Sequence, residues 1–268
     1  MAKYARNWNE KIYRRYIQEG RGQGQGFSYK PWLTVRDFPS LGMVSRIKGD
    51  TTGRIHHLMS NHETNLFFLL DWSDNVLDIR EQYPLLDISD AINIAEKAKI
   101  RYPFDKISGF PYVLTSDFYI ETPSGGTVLS VKPTTELNKP RVLEKLEIER
   151  RYWLSKGVKW ELVTEREINK IKAKNIEWLS QAKNPAHLGV VVELLPLLLD
   201  FFRNHLDKIP IIDICKEVER HFELSDGIGL NAFRHLAYKK QISLEIDQPI
   251  ESIIFTQNRS AYPALEAV

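Results

Sequence analysis

The sequence predicts an α/β protein in two parts: a mixed sheet flanked by helices over residues 1–168, and a smaller, mostly helical part over residues 169–268. Three observations carry this. Alternating apolar runs occur at "NVLDIREQYPL", "YVLTSDFYI" and "TVLSVKP". A charged amphipathic run, "RVLEKLEIERRYWLSK", stands between the third of these and a fourth, "VKWELVT", so the last strand is reached by a parallel crossover. After about residue 166 alternation gives way to helical spacing almost throughout.

At 268 residues and 43% hydrophobic content the chain supplies core for either one large or two smaller domains. Cys215 is the only cysteine, which excludes a disulfide scaffold and a cysteine-based zinc cluster. With no secretory or membrane-spanning pattern, the expected setting is the cytoplasm. A net charge of +2 announces no nucleic-acid partner, but the first fifty residues carry ten Lys or Arg against four Asp or Glu. Tyr4, Trp8, Tyr13, Tyr16, Tyr29 and Trp32 interleave with those cations, so the segment reads either as a backbone-tracking surface or as a solvated arm with its aromatics tucked inward.

Along the chain, Trp8–Gln18 predicts an amphipathic helix. "GRGQGQG" follows, a glycine-spaced loop with no strand before it and no GK[ST] after it, hence a hinge or a close backbone approach rather than a phosphate cradle. Ser60 with Glu63 three residues on is a capping-box signature for a helix running to about Trp72. Pro and Gly in "ETPSGG" suit a hairpin between the second and third strands. In the C-terminal part, "EREINKIKAKNIEWLSQA", "VVVELLPLLLDFFRNHL", "IIDICKEVERHF" and "GLNAFRHLAYKKQ" read as helices. The last two, trailed by the alternating "ISLEID", resemble a helix-turn-helix with a small wing. The apolar run "VVVELLPLLLDFF" is too short to cross a membrane.

Asp117 shares strand parity with Val113, Thr115 and Tyr119, and Lys132 shares it with Val128 and Ser130, so a hairpin brings the two together at one sheet end. Alone, the pair reads better as an edge salt bridge, worth little when exposed. Glu63 changes that reading, because it lies on the face of Leu66, Phe67 and Leu70 and so heads an inward stripe. Two carboxylates and a lysine converging at a sheet end suit Mg²⁺, which neutralises phosphate charge and activates a water while the lysine stabilises developing negative charge. That combination points to phosphodiester hydrolysis. His56, His57 and His62 lack the spacing of a metal site, and Arg54, His56 and His57 read better as phosphate contacts. Glu147 with Arg151, and Lys145 with Glu149, are i,i+4 pairs that support their helix, and Cys215 sits on an apolar stripe as a small core residue.

The helix, three strands, helix, strand order, with an Asp on one strand and a Lys closing the next, resembles the PD-(D/E)xK nuclease core, a restriction-endonuclease-like fold. Closer still, "EGRGQGQGFSYKPWLTVRDFPS", "TGRIHHLMSNHETNLFFLLDW", "LDIREQYPLL", "TSDF", "VKP" and "LEKLEIERRYW" are similar to the TnsA family, endonuclease subunits of heteromeric Tn-seven-type transposases. The resemblance implies catalytic roles for Glu63, Asp117 and Lys132, with Glu63, Asp117 and the Val131 carbonyl as Mg²⁺ ligands and Mn²⁺ as a substitute. Ser130 departs from the superfamily pattern, which places an acid there, and leaves the third side-chain metal contact open. It further implies double-stranded DNA at transposon ends as substrate, cut on the strands carrying the 5′ ends. The implied partners are an integrase-like transposase subunit and an ATP-using regulator, the latter contacting a winged-helix-like C-terminal domain. Two alternatives stay open: a stand-alone restriction or repair nuclease, and a non-catalytic winged-helix DNA-binding regulator. The second would read DNA with Asn231, Arg234, His235, Lys239 and Lys240.

Overall fold

A computed structural model describes residues 8–37, 44–206 and 208–256. It divides into two compact units, 1–168 and 169–268.

The first unit is built on a four-stranded mixed sheet ordered β3-β4-β5-β6, with β3 Asp78–Pro84, β4 Thr115–Thr122, β5 Gly125–Val131 and β6 Lys159–Val163. β3, β4 and β5 are antiparallel, and β6 joins β5 in parallel through α4, Pro140–Ser155, as the crossover expectation required. Helix α2, Asn61–Asp71, begins at Ser60, whose hydroxyl accepts the Glu63 N–H. It covers one face of the sheet, where Leu66 and Phe67 pack with Ile79, Phe118, Leu129 and Val131. On the other face Ile148, Tyr152 and Trp153 of α4 pack with Val128 and Leu85. A helix on each side of the sheet therefore buries both sets of alternating residues.

Two features were not foreseen. Residues 45–48 and 55–58 form an antiparallel hairpin, β1 and β2, separate from the main sheet; each strand is only four residues, too short for a period-2 signal. Helix α3, Ile88–Lys97, is inserted between the first two sheet strands and capped by Asp87.

The N-terminal helix α1 spans Glu10–Gln18 with Asn9 as its cap, so Trp8 precedes it. Trp8, Tyr16 and Trp32 are buried together with Leu33 and Val113, which makes the interleaved aromatics core residues rather than a stacking surface; Tyr4 lies outside the described residues. The glycine loop is a close backbone approach to the chain itself: at Gly22, φ is +73° and an added Cβ would stand 2.3 Å from Pro84 Cγ.

The second unit contains α5 Lys170–Ser180, α6 Leu195–His205, α7 Ile211–His221, α8 Ile228–Tyr238 and α9 Ile250–Phe255. Cys215 is buried in α7, and burial pushes its thiol far above the usual range, as suits a core residue. α8 is the central helix, with Ala232, Phe233, His235, Leu236 and Ala237 buried. Residues 242–247 form no strand, so the wing foreseen in "ISLEID" is not formed.

Candidate active site

Asp117 lies where the sheet opens. β4 and β5 pair as far as Phe118 with Leu129 and no further toward the Lys132 end. On its other side, pairing with β3 skips the position opposite Asp117, where Gln82 takes a φ of +48°. The splayed strands leave room for the Asp117 carboxylate to turn to β5. There Oδ2 accepts the Val131 N–H at 2.6 Å and the Lys132 Nζ at 2.6 Å. Lys132 Nζ also donates to the Val131 carbonyl at 2.7 Å. These are charge-assisted bonds in a half-enclosed site, stronger than an exposed ion pair. The Lys132 side chain remains 28% exposed, against 12% for Asp117, so the ammonium keeps an opening to solvent.

Glu63 reaches the same region from the opposite face of the sheet. It is 5% exposed, and its carboxyl takes the Met59 N–H at 2.9 Å and the Ser60 hydroxyl at 2.9 Å. Burial, and next the Asp117 carboxylate, push its pKa up to about 7, against the pull of the Met59 N–H and the Lys132 ammonium. The capping position thus serves two ends, because its inward direction takes the carboxylate to the sheet end as well as to the helix start. The structure brings Glu63, Asp117, Val131 and Lys132 together.

A fourth group was read differently from sequence. Glu149 of α4 does not pair with Lys145 on the helix surface; it is 7% exposed and takes the hydroxyl of the fully buried Ser130. Trp160 Nε1 donates to both, 3.1 Å from Ser130 Oγ and 3.2 Å from Glu149 Oε1. Burial and then Asp117 raise the Glu149 carboxyl to about 7. An acid of the helix behind it therefore stands against position 130. The inward stripe of α4 runs through Leu146, Glu149, Tyr152 and Trp153, while Leu143 is exposed. The signal available in sequence was Glu149 at i+3 from Leu146 and i−4 from Trp153. Glu147 does pair with Arg151, at 2.5 Å.

Three carboxyl groups face one ammonium. Burial works against the charge on Lys132, yet Asp117, Glu149 and Glu63 together raise its pKa, and among the described residues these acids outnumber the ammonium they face. That surplus, on hard oxygen donors, fits a divalent cation. Among the described residues no three acidic, His or Cys side chains form a ready-made cage. The protein would therefore supply two carboxylates and the Val131 carbonyl, leaving the other positions to water.

Arg54 and His56, expected to touch phosphate, are instead buried around Glu81 of β3. Arg54 donates to both Glu81 oxygens at 2.8 and 2.5 Å, His56 Nδ1 lies 2.8 Å from Oε2, and the His57 N–H donates to Oε1 at 3.0 Å. Despite burial, the His56 and Arg54 bonds hold Glu81 down to about 2. This buried lock ties the β1–β2 hairpin to β3, the strand beside the one that bears Asp117. In the second unit, Arg234 donates to the Trp178 carbonyl and His235 contacts the Ala182 carbonyl at 2.9 Å, so two of the residues proposed to read DNA are used internally.

The description "TnsA-like endonuclease N terminal" fits residues 73–165, a span that contains Asp117, Lys132 and Glu149, and "TnsA endonuclease C terminal" fits residues 167–246. The Transposon Tn7 transposition protein TnsA of Escherichia coli is 40% identical over 249 residues, covering 92% of this chain and 90% of that protein. The chain belongs to the TnsA endonuclease family. As a TnsA endonuclease it has a mixed sheet between two helices, and among its described residues no helix is long and apolar enough to cross a membrane.

Proposed function

We propose that this TnsA-family chain is the subunit of a heteromeric transposase that hydrolyses the strands carrying the transposon 5′ ends, with Mg²⁺ or, in its place, Mn²⁺. The observation that carries the reading is the Asp117–Lys132 contact at the point where β4 and β5 splay, with buried Glu63 facing it. Glu63, Asp117 and the Val131 carbonyl would hold the ion, which when bound supplies Lewis acidity and lowers the pKa of a water. Lys132 stands at the open side of the site and stabilises negative charge on the phosphate while the attacking oxygen forms its bond and the P–O bond breaks. Glu149 positions Lys132 by its charge and closes the back of the site through Ser130 and Trp160.

The substrate is duplex DNA at transposon ends. An integrase-like subunit that cuts and joins the 3′ ends, and an ATP-using regulator that meets the mostly helical domain over residues 169–268, complete the assembly. The test is Asp117→Ala in the assembled transposase. Loss of 5′-strand cleavage with folding and partner binding retained is expected, and normal cleavage would refute the assignment.

A further inference from the structure

The hairpin locked to Glu81 also carries charge that the catalytic site does not use. Arg46 of β1 stands opposite His57 of β2. Arg36, in the single helical turn Val35–Asp37, is close enough for its charge to act on the same imidazole. Both arginines are exposed, and among the described residues neither has a carboxylate partner, whereas Arg21, Arg54, Arg80, Arg150 and Arg151 are all paired. His57 is half-buried and its Nδ1 accepts the Val35 N–H at 3.4 Å, so the ring proton of the neutral form sits on Nε2.

These groups are held rather than floating. Asp37 fixes the Arg36 turn by accepting from the Thr34 N–H and hydroxyl at 2.7 and 2.8 Å and from Arg21 at 2.8 Å. Glu81 fixes the hairpin. Only Leu58 separates His57 from Met59, whose N–H holds the catalytic Glu63 carboxylate. Two like charges held about one imidazole, with no carboxylate partner among the described residues, are unfavourable until an anion joins them. Beside a site for phosphodiester cleavage, the anion that fits is the neighbouring backbone phosphate of the same duplex.

We propose that Arg36, Arg46 and His57 form a phosphate clamp that grips the DNA backbone beside the scissile bond, on the side of the catalytic helix. This rests on the nuclease reading above and adds the surface that lays the duplex across the site. The two arginines supply the salt-dependent part of the grip and the imidazole a neutral N–H donor.

The test is equilibrium binding of the full chain, without metal, to a duplex between about 50 and 200 mM salt. Arg36→Gln/Arg46→Gln removes two phosphate contacts, so the slope of log affinity against log salt becomes shallower by roughly 1.8. Across that range the wild type then loses about tenfold more affinity than the variant. The control removes the same charge elsewhere, with Lys170→Gln/Lys174→Gln on α5, and keeps the wild-type slope. An unchanged slope in the arginine variant, an equal change in the control, or no binding by the wild type at the lowest salt overturns the clamp. An acidic protein partner for this surface would produce the first of these. Asp117→Ala separates the two ideas: if it is dead in cleavage while the arginine variant keeps its slope, only the clamp falls. If it cleaves normally while the arginine variant loses slope, the clamp stands and the nuclease assignment falls.

Discussion

Replacing Glu81 with Gln tests whether one buried carboxylate holds the hairpin against the sheet. The wild-type carboxyl lies at about 2, against an ordinary 4.5, despite complete burial. That depression corresponds to roughly 3 kcal/mol of stability, fully present above pH 4.5 and lost as pH falls through 2. A second route gives a similar figure. Gln keeps one acceptor oxygen but turns an NH₂ toward groups that already donate, leaving Arg54 buried without a counter-charge, a loss of about 3–5 kcal/mol. For a unit of this size the melting temperature should fall by roughly 10 °C. The assay is urea and thermal unfolding of the full chain at pH 7, followed by tryptophan emission, since five of the six tryptophans lie at or before Trp160. Between pH 5 and pH 3 the gap between wild type and variant should narrow by about 2 kcal/mol, because the wild type begins to lose its ionised advantage. A variant within 0.5 kcal/mol of the wild type at pH 7, roughly the scatter of a neutral surface change, or a gap that ignores pH, would refute the lock.

Glu63→Gln should have the opposite sign in metal-free protein. The folded pKa of about 7 lies above the ordinary 4.5, so the folded state binds the extra proton and stability falls as pH rises through that window. Allowing for one lost acceptor, the variant should be more stable than wild type by about 1–2 kcal/mol at pH 8, and Mg²⁺ should raise the wild-type melting temperature but not the variant's. Ser130→Glu, which restores the acid of the superfamily pattern, should destabilise by roughly 3–5 kcal/mol because it buries a second carboxylate against Glu149. Adding Glu149→Ser should recover most of that loss in urea unfolding. Gly22→Ala combines a left-handed backbone with a Cβ driven into Pro84, and should cost roughly 2–3 kcal/mol in the same measurement.

The strand and helix order was legible because each long element carries its own period: alternation in 115–122 and 125–131, a 3.6-residue stripe in 61–71. Asp117, Lys132 and Glu63 were legible for the same reason, since parity and helical face are local properties that predict direction. Short elements were not. Neither four-residue strand of the β1–β2 hairpin carries enough residues to show a pattern, and the hairpin exists because Glu81, 24 residues beyond His57, gathers its donors. Glu149 was misread because a charged residue on a charged helix looks the same whether it faces water or a sheet. Arg54 and His56 looked like phosphate contacts for the same reason in reverse, since their partner is remote in sequence.

By itself, then, the order of residues determined the succession of the four sheet strands and of the helices 61–71 and 140–155, and that two acids and an amine lie at one end of a sheet. Tertiary structure alone decided how far those strands part at Asp117, which buried acid stands behind Ser130, and which arginines are neutralised and which are left bare. The division follows from range. Backbone periodicity is set by neighbours a few residues apart, whereas burial and charge pairing depend on groups that only the folded chain brings within a few ångströms.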